Sequence, residues 1–244
     1  MSPRATLATA HRVARQLRRD RRTLALVLVV PPLLLALLDY VFDRRPEVFD
    51  RIGAPFVGVF PLILMFIVTS IAMLRERSTG TLERLMSMPM AKLDLLLGYG
   101  LAFAAVGALQ AGFTAGVAFG LLGVDSAGPV WAVVALAVAN AILGMALGLF
   151  VSAFATSEFQ AVQFMPAFIL PQLLLAGLFA PRGAMPDPLQ AISDALPFTY
   201  AYDALAKVAA DDLDARLWLD VGVLAGCIVL ALTLGATTLR RRTA

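Results

Sequence analysis

RERSTGTLERLMSMPMAKLD, residues 75–94, is a charged interruption in a chain that is otherwise mostly apolar, and what flanks it decides the fold. Ile52 to Leu74 precede it and Leu95 to Val124 follow it, without one Asp, Glu, Lys or Arg between them. Four further charge-free runs complete the pattern: Thr23 to Leu38, Ser126 to Ser157, Phe159 to Pro181 and Val221 to Leu239. A bilayer core of roughly 30 Å is crossed by about 20 residues at a helical rise of about 1.5 Å. Each run therefore reads as one helix. The expected fold is all-α, a polytopic integral membrane protein with six transmembrane helices at 23–41, 52–74, 95–122, 129–151, 162–180 and 218–239.

The composition agrees. Of 244 residues, 60% are hydrophobic and 15% charged, with a mean hydropathy of +0.82, far from the balance of a soluble domain. No separate soluble domain is expected, and residues 1–244 read as a single transmembrane unit. The one cysteine, Cys227, permits no intrachain disulfide and no cysteine metal cluster. The first apolar stretch ends in Leu38-Asp39-Tyr40-Val41-Phe42, with no small-x-small cleavage site, so it reads as a retained span.

Charge gives a sidedness. With six spans, the tails, the second loop and the fourth loop share a side. They hold Arg4, Arg12, Arg15, Arg18, Arg19, Arg21 and Arg22, then Arg75, Arg77, Arg84 and Lys92, then Arg240, Arg241 and Arg242. The other side keeps Arg44, Arg45, Arg51, Arg182, Lys207 and Arg216 among many aspartates. Cytoplasmic loops retain Lys and Arg, so both termini are expected in the cytoplasm. The pI near 9.4 reflects that sidedness. The basic residues adjoin spans, where anionic headgroups attract them, and no nucleic-acid partner is expected.

Within residues 1–22, Leu7, Ala10, Ala14 and Leu17 recur at helical spacing against Arg12, Arg15, Arg19 and Arg22. An amphipathic helix along the inner membrane surface and a partly ordered basic tail both fit. His11, the sole histidine, has no neighbour suited to catalysis or metal binding.

In the loop 75–94, Gly80 supplies a turn, Thr81 to Met88 form a short helix and Pro89 stops it. Leu82, Leu85 and Met86 share a face by three-and-four spacing, forming a knob suited to a partner's groove, while Glu83 and Arg84 point elsewhere as candidate contacts. Gly112, Gly116 and Gly120 in the third span, and Asn140, Gly144 and Gly148 in the fourth, suit close helix packing, with Asn140 hydrogen-bonded across helices. Pro166 and Pro171 interrupt the fifth span, where Phe164, Met165, Phe168 and Gln172 are candidates for lining a pathway. Residues 183–203 read as two short helices dipping back into the outer leaflet or as a surface loop. Pro186 begins them, Leu189, Ile192 and Leu196 form the apolar side, Pro197 interrupts, and Phe198, Tyr200 and Tyr202 suit an interface.

Several chemistries lack their residues. No Gly-Lys-Ser or Gly-Lys-Thr phosphate loop, HExxH zinc helix or GxSxG elbow occurs in the sequence. Asp39, Asp94 and Glu158 fall at run boundaries within reach of water, which disfavours an ion-driven carrier built on intramembrane carboxylates. No enzymatic activity, cofactor or metal is expected on this chain, and any pumping would draw energy from another polypeptide.

The segment RERSTGTLERLMSMPMAKLDLLLGY (75–99) resembles the signature of type-2 ATP-binding-cassette permeases, particularly the daunorubicin-resistance-type exporters. LLLAGLFAPRGAMPDPLQAISDALPFTYAYDAL (173–205) resembles that family's stretch before its last span. The resemblance implies that Glu76 closes the second span and that Gly80, Thr81, Leu82, Glu83 and Leu85 belong to a coupling helix inserted into an ATPase partner. It further implies that Pro186 to Tyr202 form re-entrant external helices, and that Ser157 and Glu158 lie near the same cytoplasmic partner. By the resemblance, a second permease copy or paralogue joins two ATPase subunits that hold ATP and Mg. The expected role is efflux of a hydrophobic or amphipathic drug, or a lipid, across a bacterial cytoplasmic membrane, as in multidrug resistance. Export of a cell-surface glycan or glycolipid is the alternative, and a membrane enzyme or assembly scaffold a third.

Overall fold

The computed structural model describes residues 2–87 and 91–238, apart from the side chains of Met86 and Lys92. The expected stop at Pro89, the basic residues Arg240, Arg241 and Arg242 and the last residue of the sixth span lie outside the described residues. The described chain is all helical apart from turns. Its helices are α1 (Pro3–Arg19), α2 (Arg21–Val41), α3 (Pro46–Ser78), α4 (Thr81–Met86), α5 (Lys92–Gly120), α6 (Val130–Val151), α7 (Glu158–Leu175), α8 (Asp187–Asp194), α9 (Pro197–Ala209) and α10 (Ala215–Thr238). A single 3₁₀ turn, Arg182–Ala184, precedes α8.

Five of these, α2, α3, α5, α6 and α10, are long and apolar enough to cross a bilayer. The expected fifth span is α7, which is 18 residues long and carries two prolines and three glutamines. Its first turn is held at one end of the bundle, where Arg75 donates to Glu158 at 2.7 and 2.9 Å. Its last turn meets the opposite end, where the Ser193 hydroxyl donates to the Leu175 carbonyl at 2.8 Å. It thus links the two ends of the bundle, but it is not among the helices long and apolar enough to cross and it stops five residues before the expected end at 180.

At the centre, α3 and α6 run parallel in backbone contact. A Cβ on Gly144 would overlap the Leu62 carbonyl oxygen, and one on Gly148 would overlap that of Phe66. This is the close approach that small residues four apart permit in lipid. The corresponding expectation for α5 is corrected: Gly112, Gly116 and Gly120 have open space around them. Helix α5 packs instead through Gly98 on Thr9 of α1 and Gly107 on Ala141 of α6. Asn140 is buried as expected, but its side-chain amide has no hydrogen-bond partner among the described residues.

The ends of the bundle differ in charge. One gathers α1, the C-terminal ends of α3 and α10 and the N-terminal turns of α5 and α7, joined in part by Arg77 to Thr238 at 3.3 Å. The other joins the starts of α3 and α6 to α9, with the Asp125 amide on Asp50 at 3.1 Å and the Ala127 amide on the Ala209 carbonyl at 2.9 Å. At that acidic end Tyr40, Trp131 and Trp218 all stand exposed, an arrangement typical of a headgroup boundary.

Candidate functional site

The basic end is organised around the loop between α3 and α5. Gly80 adopts φ 70°, a left-handed conformation that glycine takes without steric cost. The Thr79 hydroxyl donates to the Arg75 carbonyl at 2.8 Å, closing the preceding helix. Six-residue α4 then begins at Thr81. Leu82 is buried among Val13, Met73, Leu95 and Tyr99, with Leu85 beside them. Of the knob expected for a partner's groove, Leu82 is therefore turned into the protein's own core and the half-buried Leu85 packs against the same cluster. Glu83 and Arg84 are exposed and form its outward side.

Both flanks of α4 are tied to α1. On the first, Glu76 is 4% exposed, and Arg12 donates to it at 3.0 Å through one guanidinium nitrogen and to the Tyr99 hydroxyl at 2.6 Å through another. Burial opposes the Arg12 charge, yet Tyr99 and Glu76 outweigh it and the pKa of Arg12 is raised. Arg12, which the spacing set on the face opposite the apolar residues, is thus turned into the protein. On the second flank, the Asp94 carboxylate accepts from the Ser2 amide at 3.1 Å and from the Ala91 amide at 3.2 Å. Asp94 is 2% exposed, not at a water-reached boundary as its position in the sequence suggested.

Helix α1 docks through Thr9 and Val13. The expected apolar stripe is split: Leu7 and Ala14 are exposed, Ala10 is half-buried and Leu17 packs against the core. At Asp20 the chain breaks sharply from α1 into α2. The Asp20 carboxylate accepts from the Thr23 amide at 3.1 Å and its hydroxyl at 2.7 Å, and these bonds hold its pKa below the ordinary carboxylate range. The loop before α7 joins the cluster as well, since Ser157 caps Gln160 at 3.2 Å and Glu158 takes the Arg75 fork.

The other candidate residues separate. Phe164 and Met165 pack against core clusters, and of the four named for a pathway only Phe168 stands open, at 42%. Gln172 is a tether: it donates to the Phe168 carbonyl at 2.8 Å and accepts from the Phe198 amide at 3.4 Å. Pro186 caps α8, on which Leu189 and Ile192 are exposed. Pro197 ends that helical course and opens α9. Phe198 and Tyr202 are core residues of α9, not interface aromatics, and the Tyr200 hydroxyl donates to the Asp194 carbonyl at 2.6 Å.

Three ion pairs missed in the sequence fix this hairpin. Arg182 binds both Asp194 and Asp203, the latter at 2.8 Å, and Lys207 binds Asp220 of α10, which is 2% exposed. A signal existed, because Arg182 is the one basic residue between Lys92 and Lys207.

The family model for ABC-2 type transporters matches residues 4–209, from α1 through α9. The chain belongs to the ABC-2 type transporter family. It is a multi-pass membrane protein of that family, and the match spans both the loop 75–94 and the α8–α9 hairpin. The chain is 24% identical over 156 residues to the probable multidrug ABC transporter permease YbhR of Escherichia coli, covering 64% of this chain and 42% of that protein. It is 26% identical over 141 residues to the ABC transporter G family member 20 of Dictyostelium discoideum, covering 58% of this chain and 19% of that protein. The matched stretch thus spans less than half the length of either relative.

Proposed function

We propose that the chain is the permease part of an ATP-driven exporter that moves a hydrophobic or amphipathic drug, or a lipid, outward across a bacterial cytoplasmic membrane. The basic end lies in the cytoplasm, consistent with the charge rule. A separate ATPase subunit binds ATP and Mg and drives the cycle, and a second permease copy or paralogue completes the pathway. The name of the Escherichia coli relative supports the drug reading. The daunorubicin-resistance-type subgroup is a finer reading that rests on residues 75–99 and 173–205.

The observation that carries the proposal is α4: a six-residue helix anchored by Leu82, with Glu83 and Arg84 outward and both flanks bonded to α1. A partner bearing on Glu83 and Arg84 would displace α4, α1 and the ends of α3 and α5 as one body, since interfaces packed this closely shift between discrete arrangements. The test is ATP-dependent flux in proteoliposomes holding this chain and its ATPase. Glu83→Lys and Arg84→Glu are expected to abolish flux while insertion and folding remain normal. Wild-type flux in both variants refutes the role of α4, and nucleotide turnover by the purified chain alone refutes the separate ATPase.

A further inference from the structure

A cavity of about 560 Å³ lies between α1, α2, α3 and α5 at the basic end, within the range of roughly 300–1,000 Å³ that small-molecule sites occupy. Its wall along α3 runs from Leu64 through Ile67, Val68 and Ile71 to Arg75. At about 1.5 Å per residue those eleven steps give about 16 Å, close to one leaflet of a hydrocarbon core roughly 30 Å thick. Val27 and Phe103 close the deep side, and Leu26, 61% exposed, stands at the opening. The cavity is thus an apolar slot one leaflet deep, open beside α2 and ending in charged residues.

The charges at that mouth are unequally engaged. Asp20 is hydrogen-bonded to Thr23, Glu76 is paired with Arg12, and Arg75 is paired with Glu158. Arg19, which also lines the mouth, forms no ion pair among the described residues. Neither do its neighbours Arg15, Arg18, Arg21 and Arg22. A cationic headgroup would find Glu76 and Glu158 already paired with arginines, and only Asp20, held by Thr23, to set against a row of arginines opposing it. An anionic one finds an uncommitted guanidinium where the acyl slot ends.

We infer that the slot between α2 and α3 seats one anionic glycerophospholipid from the leaflet at the basic end, with an acyl chain along Leu64 to Ile71 and its phosphate at Arg19. The inference rests on α2 and α3 crossing the bilayer. It requires neither an ATPase nor transport, so its test stands apart from that of the exporter reading.

The test uses the full chain purified in micelles containing phosphatidylglycerol and phosphatidylcholine in equal amounts, with retained lipid read by native mass spectrometry. One phosphatidylglycerol per chain is expected to survive delipidation, with phosphatidylcholine lost. Arg19→Glu is expected to lower that retention roughly tenfold, since each arginine near an anionic headgroup contributes about 1 kcal/mol and the reversal adds repulsion. Arg18→Glu carries the same charge change outside the cavity and is expected to leave most of it. Val68→Trp, which fills the slot, is expected to abolish it. As a check independent of that variant's folding, a photoreactive benzoylphenylalanine at exposed position 26 is expected to crosslink phosphatidylglycerol, with less crosslinking after Arg19→Glu. Equal losses in Arg18→Glu and Arg19→Glu would overturn the inference in favour of a diffuse basic surface. Retention by a folded Val68→Trp, no crosslink at position 26, or displacement of the lipid by the cation rhodamine 6G would overturn it too.

Discussion

Removing Arg12 should do more damage than removing Arg12 and Glu76 together. Glu76 is 4% exposed, and Arg12 is its hydrogen-bonded counter-charge at 3.0 Å. Deleting one member of a fully buried pair costs about 3–5 kcal/mol, because the survivor is left charged and unpaired. About a third of the Arg12 side chain remains in solvent, which lowers the expected cost of Arg12→Ala to about 2–3 kcal/mol. On the scale of soluble proteins of similar size this corresponds to a fall in Tm of roughly 4–12 °C. Glu76→Gln keeps the volume and removes the buried charge, so adding it to Arg12→Ala should restore part of the loss. The expected coupling between the two sites is about 1–2 kcal/mol. The assay is a double-mutant cycle by thermal unfolding in detergent, followed by helical circular dichroism and by labelling of Cys227, the single thiol. Strict additivity of the two substitutions would refute the reasoning.

Other consequences are as direct. Gly148→Leu forces side-chain atoms into the Phe66 carbonyl, and overpacking of about 1–3 kcal/mol or more should appear as lost monodispersity on size exclusion, while Gly116→Leu on the open face should be tolerated. Equal tolerance of both would argue against direct contact between α3 and α6. Gly80→Val places a β-branched residue at φ 70°, with an expected loss of about 1–2 kcal/mol, seen as faster proteolysis between α3 and α5; an unchanged cleavage rate counts against the left-handed turn. At the α1–α2 break, the folded pKa of Asp20 lies below its unfolded value, so its contribution is present above the unfolded pKa and lost as pH falls through the folded one. Exchange of the Thr23 amide should quicken over that acid window in wild type but not in Asp20→Asn, and identical profiles would refute the cap.

The spans were legible because their signal is redundant: a charge-free run of bilayer length admits few structures. Gly80 was legible for the same kind of reason, since a glycine between helical segments has few alternatives. The faces of the short amphipathic helices were not. Periodicity shows that Leu82 and Leu85 share a side, but not whether that side meets a partner or the chain itself, and here residues 13 to 99 in sequence supply the answer. The pairing of Arg12 was not legible for a similar reason. Its counter-charge Glu76 is 64 residues away, a distance over which helical spacing carries no information. Glycine stripes misled in α5 because the same spacing suits any close neighbour, and only the packed fold distinguishes Gly107, which has one, from Gly116, which does not.

Helix α3 connects the two ends at which polar residues cluster. Its 33 residues, about 50 Å at the helical rise, pass from Asp50, which holds the Asp125 amide, to Glu76 and Arg77 just before α4. Along that length α6 meets it at Gly144 and Gly148 without an intervening layer of side chains, and Leu205 of α9 fills the space above Gly58. A pair joined through backbone contacts resists shear better than one joined through flexible side chains, because close-packed interfaces have no slack to absorb a shift. Motion imposed at Ser78 therefore has little compliance to dissipate in before it reaches α9. The hairpin it reaches is held to α10 by Lys207 on Asp220 and internally by Arg182. A displacement carried along α3 therefore meets, at the acidic end, a hairpin whose ties are ionic, with Asp194 in solvent and Asp220 buried.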